Sequence, residues 1–242
     1  MSDILIAGKE LPDCLELAES FIENKKVFTS AKQDAEIANF EAEGIFSCNW
    51  NKSSAISARS FIIKAETKLK ELNQYLIYFD AVAFASKFEL DRTENISTAV
   101  ELMIASYQFL INELLIRLEQ RKDPVVVSFL VKTYPSKFET LHNGTKALNL
   151  VPCCNIVSAA QAAFISLAEN VSILVADRPY LSVLLAKCDP SNEFYSNETE
   201  IGKWISLGMD ALEHSKSKQT AKQAATWIKV GQKVSSGFSL FK

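Results

Sequence analysis

Few side chains in this sequence stand where their types and spacing make chemistry. Tyr134-Pro135-Ser136-Lys137, with Ser128 upstream, sets a phenol near an ammonium, a grouping that suits proton transfer to a carbonyl oxygen. Pro135 removes a backbone donor inside that stretch, and a loop tyrosine beside a solvated lysine is the plainer reading. Vicinal Cys153-Cys154 offers a dithiol, against the simpler reading of two small apolar residues near a helix start. The five cysteines are odd in number and lack metal-ligand spacing, which predicts free thiols in a reducing cytoplasm and no metal site. His142 and His214 have no partner at triad or ligand spacing, so each reads as a surface or capping residue.

The elements that must position these groups come from length, composition and periodicity. The 242 residues, 48% of them hydrophobic, suffice for one globular domain over 1–242. A net charge of -3 gives no reason to expect nucleic acid or an anionic membrane as partner, and the basic stretch 216–222 is too short to change that. Apolar runs such as 171–176 fall far below the ~20 residues needed to cross a bilayer, and no signal-peptide core forms before Lys9.

Residues 3–8 are a short apolar run ended by Gly8, and Pro12 and a helical pattern of Leu15, Leu17, Ala18, Phe21 and Ile22 follow, which predicts strand, turn and helix. Residues 26–29 and 44–49 predict a second and third strand, and a helix follows from Ser53 and Ser54, which can cap it. The fourth strand is expected over 75–82, a long helix over 96–120, and the fifth strand over 125–131. A polar segment at 132–149 reads as an extended loop, followed by a helix over 154–170, a sixth strand over 171–176, a helix over 198–213 and a last strand over 226–230. Strands alternating with helices predict an α/β fold: one doubly wound parallel sheet of about seven strands.

The order and spacing of these elements resemble the short-chain dehydrogenase/reductase family, with ketoacyl-carrier-protein reductases nearest in size. Ser47-Cys48-Asn49-Trp50-Asn51-Lys52-Ser53-Ser54 is similar to the family's Asp-Val-Thr-Asp stretch, and Ser158-Ala159-Ala160-Gln161-Ala162-Ala163-Phe164 to its Ser-Ala-Ser-Lys-Ala-Ala-Leu run. The resemblance implies a Rossmann-like fold, a nicotinamide nucleotide and hydride transfer. It also shows what is unmatched. The glycine-rich TGxxxGxG turn falls on residues 7–14, where Gly8 remains, Pro12 and Cys14 replace the other glycines, and Glu10 and Asp13 would repel phosphate. The ribose-supporting Asn-Asn-Ala-Gly falls on Phe79-Asp80-Ala81-Val82, Asn49 lies in the stretch after the third strand, and Ser30 and Lys32 are the candidates for a ribose phosphate.

By the same resemblance the catalytic tyrosine and lysine fall on Val157 and Gln161, the serine near Leu130 or Val131, and the asparagine near Ile104. The Pro-Gly after the sixth strand falls on Arg178-Pro179. NAD or NADP is therefore not expected, and the leading reading is a degenerate relative without dehydrogenase activity, acting as a structural or regulatory binding subunit. The alternative is an NAD(P)-dependent oxidoreductase with an atypical or displaced active site, to which 132–149 would bring Tyr134, Lys137 or His142. A homo-oligomer, or a mixed oligomer with a related subunit, is expected. Its interface would comprise Leu110, Leu114, Ala159, Ala162, Ala163 and Phe164, because the two helices bearing them commonly pair in this family.

Overall fold

Short apolar runs alternating with longer amphipathic segments produce seven parallel strands in the computed structural model, which describes residues 2–32, 44–88, 92–142, 151–215 and 225–234. In chain order they are β1 (Asp3–Leu11), β2 (Val27–Ala31), β3 (Ile45–Cys48), β4 (Leu72–Asp80), β5 (Val125–Lys132), β6 (Leu181–Cys188) and β7 (Trp227–Lys229). The sheet order is β3-β2-β1-β4-β5-β6-β7, and every neighbouring pair is parallel. The chain winds outward from β1 to β3, then returns to the other side of β1 as β4. That reversal makes the carboxyl ends of β1 and β4 the topological switch point, beside whose crevice open α/β sheets take their ligands.

Helices α1 (Leu15–Glu19) and α7 (Glu198–Ser215) cover one face of the sheet, over Ile4, Ile6, Val27, Leu76, Tyr78, Val126 and Leu130. The other face, bearing Leu5, Phe28, Tyr75, Phe79, Val127 and Phe129, lies under α2 (Ala55–Lys68), α4 (Thr93–Arg121) and α6 (Asn155–Leu174). Two short helices, α3 (Ala81–Lys87) and α5 (Lys137–His142), follow β4 and β5. Local chemistry explains the helix ends: the Ser54 hydroxyl accepts from the Ser57 amide to start α2, and Lys122 closes α4 in a left-handed turn before Asp123 and Pro124.

Several expectations need correction. Residues 171–176 are not the sixth strand: they are mostly the last turn of α6, and the strand is Leu181–Cys188. A short apolar run does not distinguish strand from helix by itself. Here the helical phase set by Phe164 and Ala168 carries through buried Val171 and Ser172, leaving Ile173 and Leu174 64% and 56% exposed. Arg178-Pro179 consequently precedes β6 instead of following it. Strand β1 does not end at Gly8 but runs to Leu11, and β4 ends at Asp80, whose side chain caps α3.

Of the expected interface residues, Leu110, Leu114 and Phe164 are buried against the sheet, because the apolar stripes of α4 and α6 supply the core. Ala159 and Ala162 are exposed and Ala163 is half-buried. Both α4 and α6 are long and apolar enough to cross a bilayer by length and composition, contrary to the expectation drawn from 171–176; each lays one side on the sheet. The segment 132–149 contributes the end of β5 and the short α5, and 143–149 lies outside the described residues.

Candidate functional site

Gly8 bends β1 where it reaches the crevice. Its φ is +114°, and a Cβ there would lie 1.9 Å from the Tyr78 carbonyl oxygen and 2.9 Å from the Tyr107 hydroxyl. The Tyr107 hydroxyl donates to that same carbonyl at 2.7 Å, so the backbones of β1 and β4 close on each other under α4. The pairing of β1 with β2 slips between Leu5 and Glu10, after which Glu10 pairs with Ser30 and Leu11 with Ala31.

On the β4–β5 side, four charged side chains from distant parts of the chain converge. Lys9 Nζ lies 3.1 Å from both Asp80 Oδ2 and Glu198 Oε1, and Lys132 Nζ donates to Glu198 Oε1 at 2.7 Å. The Tyr78 hydroxyl donates to Glu198 Oε1 at 3.0 Å, and Asp80 Oδ1 accepts from the Val82 and Ala83 amides at 3.1 Å. Burial disfavours the Lys9 charge, but the facing Asp80 and Glu198 carboxylates more than offset it and hold its pKa above 10.5. Burial likewise opposes the Glu198 charge, and Lys9 and Lys132 outweigh it, holding that carboxyl below 4.5. Burial, then Asp80 and Glu198, push the Tyr78 phenol far up. Two ammonium groups thus balance two carboxylates around a phenol that stays protonated.

The β2–β3 side is different. Ser30 Oγ, Ser47 Oγ and Trp50 Nε1 are buried and have no hydrogen-bond partner. By strand alternation Ser30 shares the face of Phe28, and Trp50 joins that face by stacking on Phe61, at 5.2 Å between ring centroids and 7° between planes. An unpartnered buried polar atom costs about 1–3 kcal/mol; Ser47 lies on the opposite face, with Ile45, and Ser128 Oγ on β5 is a further such atom among the described residues.

The positions singled out from sequence fall as follows. Val157 is fully buried in α6, and Gln161 Oε1 accepts the Tyr134 amide at 2.8 Å, tying α6 to the end of β5. Leu130 is buried on the α1–α7 face, and half-buried Ile104 lies in a π-helical turn of α4, Glu101–Ala105. Pro12 and Asn49 are exposed. Cys14 is buried 3.5 Å from the Thr29 hydroxyl, and burial pushes its thiol up to about 11. Burial also pushes the Cys188 thiol up to about 12, and all five cysteines are free and buried. Sequence reasoning did not single out Lys9, Tyr78, Lys132 or Glu198. The signal was a lysine ending each of two otherwise apolar strand runs, which reads as solvated until Glu198, 66 residues after Lys132, is placed above it.

No protein-family model matches the sequence, and no curated protein matches it. Solved structures do match over nearly the whole chain. A short-chain dehydrogenase/reductase variant of Serratia marcescens has a TM-score of 0.60 at 10% identity, with 95% of this chain and 96% of that one covered. A 3-ketoacyl-(acyl-carrier-protein) reductase of Brucella melitensis, complexed with NADH, has a TM-score of 0.59 at 12% identity over 95% and 97%. A short-chain dehydrogenase/reductase of Vibrio parahaemolyticus has 0.59 at 16% over 94% and 98%. The chain has the short-chain dehydrogenase/reductase fold: a single Rossmann-like sheet of seven parallel strands with helices on both faces.

The expectation that a nicotinamide nucleotide is excluded does not stand, because a chain of this fold is complexed with NADH. The local argument for exclusion fails too. Glu10 and Asp13, expected to repel phosphate, are each paired with a lysine, Lys52 and Lys32. The unpartnered Ser30 hydroxyl and Trp50 indole N–H near the ends of β2 and β3 are donor types that the ribose and base of such a nucleotide engage, and both atoms are buried as they stand.

Proposed function

We propose that the protein is a nucleotide-binding subunit with an oxidoreductase fold that holds a nicotinamide nucleotide by its adenosine half and performs no hydride transfer of its own. The observation that carries this reading is the contrast at the strand ends. Ser30 on β2 and Trp50 just after β3 have polar atoms without a protein partner, while the Tyr78 phenol and the Asp80 and Glu198 carboxylates near β4 and β5 are bound by one another and by Lys9 and Lys132. A bound nicotinamide nucleotide supplies a hydride where a neighbouring group manages the substrate proton. Val157 has no proton to give, and the Gln161 side chain is engaged by the Tyr134 amide.

A subunit without turnover acts through contacts. The exposed side of α6 at Ser158, Ala159, Ala162, Ala163 and Ser166 is narrow enough for close helix approach, which favours a homo-oligomer or a mixed oligomer with a related chain. A cytoplasmic setting accords with five free thiols.

The test is a pair of measurements on one preparation: nucleotide binding by calorimetry, and NADH or NADPH consumption with a panel of ketones and aldehydes. Saturable binding without consumption is expected. Turnover abolished by Tyr134→Phe would replace this reading with a displaced active site, since Tyr134 lies against α6 beside Gln161.

A further inference from the structure

The glycine-rich turn that brings backbone amides to a pyrophosphate is missing, so any phosphate in this crevice needs another cation or donor. Lys52 stands there. Its Nζ donates to the Gly8 carbonyl at 3.1 Å and lies 3.4 Å from Glu10 Oε2, with only 10% of the side chain exposed. The ammonium also sits 5.6 Å from the centre of the Trp50 ring, on the aromatic stack that continues through Phe61 to Phe28. It is therefore fixed towards the carboxyl end of β1, over the ring of Trp50, whose own N–H has no partner.

We propose that Lys52 is the phosphate anchor of this crevice, receiving the diphosphate of a nucleotide at the carboxyl end of β1 in exchange for the Glu10 carboxylate. The proposal rests on the nucleotide-binding reading above and assigns its anion contact. Glu10 is the natural placeholder: its carboxylate is the only acid paired with Lys52 among the described residues, and the pair is longer than the 2.7 Å contact between Lys132 and Glu198. Burial leaves the Lys52 ammonium undercompensated, with its pKa lowered despite Glu10, and Lys32 and Lys87 are close enough to add like charge. A diphosphate brings more negative charge to this point than one carboxylate and relieves that imbalance.

The test is calorimetric titration of the full chain with ADP, NADH and adenosine, with tryptophan fluorescence as a second readout. The wild-type protein is expected to bind ADP and NADH comparably, and adenosine more weakly. Lys52→Met should weaken ADP and NADH by roughly 10-fold or more, as loss of a charge-assisted contact implies, and leave adenosine unchanged. Glu10→Gln should tighten ADP, because it removes the competing carboxylate while keeping the shape. A merely structural ion pair predicts the opposite sign, with both variants weaker. Wild-type ADP affinity in Lys52→Met, or weaker ADP binding by Glu10→Gln, overturns the anchor while leaving the nucleotide reading standing. Absence of any NADH or ADP binding to the wild-type protein overturns both. If Lys52→Met has lost its circular dichroism, the Glu10→Gln titration alone decides.

Discussion

The two halves of the crevice share one sheet and differ in how their polar groups are satisfied. Around β4 and β5, Lys9, Lys132, Asp80, Glu198 and Tyr78 hold one another with distances of 2.7–3.1 Å along the main contacts. Around β2 and β3, Ser30, Ser47 and Trp50 end in atoms that hold nothing. A closed network stabilises the fold and resists intrusion, whereas unpartnered donors cost the fold stability and are recovered when a ligand arrives. An unpartnered hydroxyl also occurs on β5, at Ser128, so the difference lies in the charged groups: Lys9, Asp80, Lys132 and Glu198 near β4 and β5 are paired with one another, whereas the unpartnered groups near the ends of β2 and β3 are neutral.

The largest effect should come from opening the closed half. Glu198→Gln leaves buried Lys132 facing a neutral amide, while Lys9 keeps Asp80, and should cost about 3 kcal/mol, read as a fall in denaturation midpoint. The pH dependence of that loss is specific. The folded Glu198 carboxyl lies below its ordinary 4.5, so its contribution is complete above that value and disappears as the pH falls through the lower, folded value. Lys9, raised above 10.5, keeps its contribution at all lower pH and loses it only as the pH rises through its folded value. Acid unfolding should thus flatten in Glu198→Gln; an unchanged acid limb would mean that the network contributes nothing.

A smaller effect belongs to the seam between the halves. Tyr107→Phe removes the 2.7 Å bond to the Tyr78 carbonyl and should destabilise by about 1 kcal/mol. Smallest of all is a change in the half around β2 and β3. Ser30→Ala removes a donor that has no partner, so the protein without nucleotide should be unchanged or more stable by up to about 1 kcal/mol, while NADH binding weakens. Apo destabilisation comparable to that of Glu198→Gln would erase the contrast between the halves. On the outer side of α6, Ala162→Arg at an exposed position should split an oligomer without unfolding the chain, as light scattering with circular dichroism would show.

Much of this architecture is legible in the sequence because it is local. The Ser54 cap, the β-branched run of β5 and the long stripe of α4 each declare themselves within a few turns of chain. The sixth strand is not legible in the same way, since the apolar residues 171–176 satisfy both periods until packing fixes the helical one. The site is harder still. Tyr78 and Glu198 are 120 residues apart, and Lys52 meets Gly8 across 44, so neither contact leaves a spacing to read. Glu10 and Asp13 look repulsive as sequence and are paired in space, which is how the expectation about the cofactor went astray.

On the proposed function, the crevice holds a nucleotide by its adenosine half and leaves the nicotinamide chemically idle. The most direct test of that reading is the melting temperature of the wild-type protein against rising NADH and ADP, with the absorbance of the reduced nicotinamide followed in the presence of carbonyl substrates. Equal, saturable stabilisation by both nucleotides, growing with the logarithm of concentration once the site fills, and an unchanged absorbance are the predicted result. Stabilisation by neither nucleotide, or steady loss of the reduced nicotinamide, would contradict the account.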